Sequence, residues 1–123
     1  MKATLIAAAV FFAPMSAPAA PPPADLIAHP VWVTDSIPPL MRFYPPDAKE
    51  RGIEGRSVVE CMVTTDGALK GCTAVGERPE GLGFGQAGLR LAAYARVKPA
   101  DEDGQPTAGR HVRMMVTWKL SEK

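Results

Sequence analysis

Cys61, Cys72, His29 and His111 are the residues of this chain best equipped for metal chemistry. A structural zinc site built from them would need closely spaced ligand pairs. Neither the histidines nor the cysteines are closely spaced, and His111 falls on the polar side of an alternating segment while the cysteines fall on apolar sides. Asp101-Glu102-Asp103-Gly104 has the look of a calcium loop. Pro99 occupies the first ligand position, however, and no Glu stands at the twelfth. Gly83-Phe84-Gly85-Gln86-Ala87-Gly88 spells G-x-G-x-x-G. A dinucleotide turn must follow its strand directly and be completed by a parallel sheet, which the remaining ~35 residues cannot build. Ser, His and acidic residues, or Cys and His, form no nucleophilic arrangement with short-range support. The sequence therefore offers no catalytic constellation, and neither a metal nor a cofactor is expected.

The elements around these residues indicate a different kind of protein. The chain has 123 residues with 14 Lys and Arg against 13 Asp and Glu, a length that suits one domain. Met1–Ala19 reads as a secretory signal peptide. Lys2 supplies the positive start, Leu5 to Ala13 the apolar stretch, and Ala17-Pro18-Ala19 the small-residue cleavage site. At ~1.5 Å per residue the apolar stretch spans only ~15 Å of a ~30 Å hydrocarbon core, so no membrane span is expected in the mature chain. Lys2 is the only ionisable side chain ahead of Asp25. Its removal leaves equal numbers of acidic and basic residues, a balance without the footprint of nucleic-acid binding. Export to the periplasm also favours a disulfide over a metal site for the cysteines.

Ten of the 13 prolines lie at or before Pro46. Residues 20–41 accordingly read as an extended, Pro-rich lead-in laid over the domain, with Trp32 as its large anchor on the core, and residues 42–123 as the folded domain. Pro46 to Arg51 suits a short helix stopped by Gly52. Ser57 to Val63 is a strand with Val59, Cys61 and Val63 on one face. Thr65-Asp66-Gly67 makes the turn, and Leu69 to Val75 returns as the second strand. Pairing Thr64 with Ala68 places Val63 opposite Leu69. A one-residue bulge at Lys70-Gly71 then brings Cys72 opposite Cys61. This register predicts a cross-strand disulfide on the core face, against the alternative of two buried free thiols. Residues 84–97 read as an amphipathic helix stopped by Pro99. In the last strand, Val112, Met114, Val116, Trp118 and Leu120 alternate with polar positions, giving one buried and one wet face. The expected fold is α+β, ordered α-β-β-α-β, with two helices packed on one face of a three-stranded antiparallel sheet.

These residues resemble a known family. Tyr44-Pro45-x-x-Ala48, Gly52, Gly55, Val58-Val59 and Val63-x-x-Asp66-Gly67-x-Leu69 are similar to the C-terminal domain of TonB proteins. The agreement continues through a Phe-led helix, Val97-Lys98-Pro99-Ala100, the Asp103-Gly104 turn and the alternating last strand, over roughly residues 42–120. The cysteine pair and Phe84-Gly85-Gln86-Ala87 resemble a subgroup of short, exported TonB-like proteins. The resemblance implies a non-enzymatic, periplasmic binding module in TonB-dependent transport. Its partner would be an extended segment of an outer-membrane receptor, the TonB box, added as a strand to an exposed sheet edge.

By the same resemblance the edge is the last strand, comprising Arg110, His111, Val112, Arg113, Met114, Met115, Val116, Thr117 and Trp118. The alternative is an envelope protein without a transport role, either self-pairing as a homodimer through this edge or associated with peptidoglycan. TonB proteins also carry an uncleaved membrane helix and a long Pro-rich spacer. The lead-in here would reach only ~70 Å even in full polyproline II extension, so the expectation is the binding end of such a protein, working without a tether.

Overall fold

A computed structural model describes residues 22–120, and the expected signal peptide, Met1–Ala19, lies outside them. The described chain runs from β1 (Trp32–Val33) through 3-10 turns at Thr34–Ser36 and Leu40–Arg42 to α1 (Pro46–Glu50), β2 (Gly55–Val63) and β3 (Leu69–Arg78). It continues through α2 (Phe84–Ala92), β4 (Arg96–Val97) and β5 (His111–Trp118). β3, β2 and β5 form an antiparallel sheet in that spatial order, with β2 in the centre. The fold is the expected α+β arrangement, with a small β1–β4 pairing added at its side.

Alternation makes the sheet one-sided. Val59, Cys61 and Val63 on β2 are buried, as are Val112, Met114, Val116 and Trp118 on β5. α2 covers this face with Phe84, Ala87, Leu91 and Ala92. The close approach depends on Gly88, where an added Cβ would fall 2.8 Å from Ser57 Oγ and 2.9 Å from Val59 Cγ2. At the far end Tyr44 meets Trp118 and Phe84 edge-on, with ring centroids 5.8 Å apart in each pair, a favoured geometry for aromatic side chains. Trp118 is fully buried, and its Nε1–H donates to Ser57 Oγ at 3.0 Å.

The hairpin follows the expected register. The Thr64 N–H donates to the Ala68 carbonyl at 2.8 Å, Gly67 turns at φ 86°, and Val63 stands across from Leu69. A register shift follows at Gly71, whose φ is 58°, and Cys61 and Cys72 form a disulfide. Cys61 is buried and Cys72 half-buried against the core.

Three expectations need correction. β3 continues to Arg78 rather than Val75, because a second register shift between Val58 and Val59 lets Val75 bulge out and pairing resume at Gly76. The helix expected over 84–97 ends at Ala92, and Arg96–Val97 is a strand. There the Val97 N–H donates to the Gly67 carbonyl, while Trp32 and Val33 pair with Val97 and Arg96. These tertiary hydrogen bonds override a helical period that the sequence carries past Ala92. Finally, the lead-in, expected to lie extended over the domain, is broken by two 3-10 turns after β1.

Candidate functional site

β5 lies at one edge of the sheet, and its pairing with β2 is unbroken through eight positions, from Gly55–Trp118 to Met62–His111. In an antiparallel pair, successive residues turn their backbone groups alternately toward and away from the partner. The phase is fixed by the Val63 N–H, which donates to the Arg110 carbonyl at 2.9 Å. Arg110, Val112, Met114, Val116 and Trp118 therefore direct their backbone groups to β2. His111, Arg113, Met115 and Thr117 direct theirs outward. The His111 carbonyl accepts from the Ile27 N–H at 2.9 Å, which agrees with this phase. Among the described residues, no hydrogen bond reaches the outward groups of Arg113, Met115 or Thr117.

An apolar groove of about 460 Å³ runs beside Met115 and Thr117. Met114, Met115, Val116 and Thr117 form one wall, Leu91 of α2 contributes to the floor, and Trp32, Ile37 and Leu40 of the lead-in form the opposite wall. The lead-in is thus part of the groove as well as packing on the core. Its contribution was not legible in the sequence, because Pro-rich segments show no periodicity that reveals what they lie against. Trp32 was the single available signal.

The nine residues expected to form the edge have distinct placements. Arg110 precedes the strand. Its guanidinium donates to the buried Asp101 carboxylate at 3.2 Å and to the Pro106 carbonyl at 3.0 Å. Asp101 Oδ1 also accepts the backbone N–H groups of Asp103 and Gln105, forming the turn expected at 101–104. Hydrogen bonds from the Gln105 backbone and Arg110 lower the Asp101 pKa below its ordinary 3.8, against the opposing effect of burial. His111 Nδ1 lies 2.7 Å from Asp25 Oδ1. This hydrogen bond lowers the Asp25 pKa in the same way. Arg113 Nε donates to Glu60 at 2.9 Å across the open face. Met115 is 68% exposed. Val112, Met114, Val116 and Trp118 point into the core.

β3 forms the other edge, and it is irregular. Its two register shifts interrupt the alternation, and Gly71 adopts positive φ at one of them. At its far end the Glu77 carboxylate accepts the backbone N–H groups of Gly81 and Gly85, at 3.0 and 2.6 Å, and so holds the following loop against the strand.

Residues 41–120 match the family described as Gram-negative bacterial TonB protein C-terminal. The chain belongs to this family. The TonB C-terminal fold is also that of a solved structure, the C-terminal domain of Pseudomonas aeruginosa TonB determined by solution NMR. The two share 23% identity with a TM-score of 0.54, over 79% of this chain and 92% of that domain. An uncharacterized protein of Caulobacter vibrioides is 35% identical over 64 residues, which span 52% of this chain and 64% of that protein. TonB C-terminal domains are interaction domains of the cell envelope, which points to a protein partner. Among the described residues, no helix is long and apolar enough to cross a membrane.

Proposed function

We propose that this protein is a non-enzymatic periplasmic binding module that captures an extended segment of an outer-membrane receptor by adding it as a strand to β5, in association with TonB-dependent transport. One observation carries the reading: Arg113, Met115 and Thr117 present unpaired backbone groups along an unbroken strand, and an apolar groove lies directly beside Met115 and Thr117. Strand addition gives such groups their hydrogen bonds, and alternate ligand side chains enter the groove. The Cys61–Cys72 disulfide supports an oxidising compartment. The assignment of residues 1–19 as a removable leader and 20–41 as a lead-in is part of the same proposal.

Titration of isotope-labelled protein with receptor TonB-box peptides tests it. The Arg113, Met115 and Thr117 amides and the Trp32 indole are expected to shift together. Shifts confined to β3 or to the turn at Asp101 would count against the reading.

Self-pairing through the same edge is the second reading. Antiparallel pairing about Met115 would set Arg113 of one copy opposite Thr117 of the other and so avoid facing like charges. Sedimentation at rising protein concentration separates the two, since a dimer would compete with the peptide.

A further inference from the structure

His111 is the outward position of β5 that the protein uses itself. The Ile27 N–H donates to its carbonyl at 2.9 Å, and the Ile27 side chain is 3% exposed. The Asp25 carboxylate accepts from His111 Nδ1 at 2.7 Å, while Arg110 Nε donates to the Asp25 carbonyl at 3.4 Å. Beyond this point the lead-in is held by other elements. The Glu102 N–H donates to the His29 carbonyl, the Lys98 N–H donates to the Val31 carbonyl, and Trp32–Val33 pair with β4. The 25–27 segment is therefore a clamp with its own anchors, separate from the groove wall formed by Trp32, Ile37 and Leu40.

We propose that Asp25–Ile27 is an internal stand-in for one end of a bound strand. It confines a bound segment to Arg113–Thr117 and yields only to a ligand long enough to reach His111. This rests on the reading of β5 as the peptide edge. A longer ligand must replace a backbone hydrogen bond, a carboxylate–imidazole contact and a buried isoleucine with groups of its own. Extra length consequently adds little affinity while the clamp is closed, and adds more once the clamp is weakened.

The probes are two end-blocked peptides of alternating Val and Thr, one of about five residues and one of about nine, the longer exceeding the free stretch of the edge. In the unaltered protein both are expected to shift Arg113, Met115 and Thr117 with similar affinity, and the Ile27 amide stays protected from exchange under the shorter one. In Asp25→Asn the longer peptide is expected to gain about two- to fivefold in affinity, the lower range of one net hydrogen bond, with the shorter unchanged. Ile27→Ala, which weakens the clamp by packing, should move in the same direction and further. The clamp is overturned if both variants bind both peptides as the unaltered protein does, or if they change both affinities equally. If neither peptide reaches β5 in any variant, the peptide-edge reading itself falls, and the clamp with it.

Discussion

The sheet has two edges, and they are finished differently. β3 carries two register shifts, a glycine with positive φ and a terminal carboxylate that holds the next loop in place. Bulges and coverings of this kind are how proteins prevent a sheet edge from pairing with another chain. β5 carries no register shift and leaves three residues with outward backbone groups, two of them beside an apolar groove. The disulfide belongs to the guarded side, joining β2 to β3 next to the Gly71 bulge. On the proposed reading of β5 as the binding strand, regularity and what lies alongside, rather than edge position alone, set it apart from β3.

The largest expected effect tests what both edges share. Trp118→Ala empties a fully buried site and removes the donor to Ser57 Oγ. A loss of about 3–5 kcal/mol in urea unfolding is expected, with both edges affected. Replacing Cys61 and Cys72 with alanines should cost about 2–3 kcal/mol by the loop it opens. Amide exchange is then expected to accelerate along β3, leaving peptide binding at β5 unchanged.

Prolines distinguish the inward and outward positions of β5. Met114→Pro deletes a hydrogen bond to β2 and leaves the carbonyl of the facing residue unpaired, a cost of about 1–3 kcal/mol. Met115→Pro removes an N–H that faces outward, a position where edge strands tolerate proline. It should cost less in urea unfolding while abolishing the amide shifts produced by TonB-box peptide. A reversed ranking would break the assigned phase.

The smallest expected effect is in acid. The Asp25 carboxyl is held below its ordinary 3.8 chiefly by the His111 hydrogen bond, and the Asp101 carboxyl chiefly by the Gln105 backbone N–H. Because these folded-state values are depressed, the unfolded chain binds more protons in that window. Their contribution is present above the unfolded value and is lost as pH falls through the folded one. Stability from urea unfolding should therefore rise with pH across the acid range, and Asp25→Asn should flatten part of that rise.

The hairpin, its first bulge and the cysteine pairing were legible because a tight turn and a period of two fix local register. So was the buried face of β5, where Val112, Met114, Val116 and Trp118 alternate with exposed or half-buried residues. The second bulge was hidden, since Val75-Gly76 interrupts the alternation without a turn signal of its own. The end of α2 and the lead-in's contacts depend on partners distant in sequence, such as Asp25 with His111 and Trp32 with Val97. No local pattern records such pairings, so the clamped position, His111, could not be told apart from the rest of the wet face.

Residue-resolved amide hydrogen exchange, with and without TonB-box peptide, tests the difference between the edges most directly. Without peptide, Arg113, Met115 and Thr117 are expected to exchange quickly while Val112, Met114 and Val116 stay protected. With peptide, those three amides should become protected and β3 should not change. Protection appearing along β3 instead, or Met114 exchanging faster than Met115 in the free protein, would contradict the account.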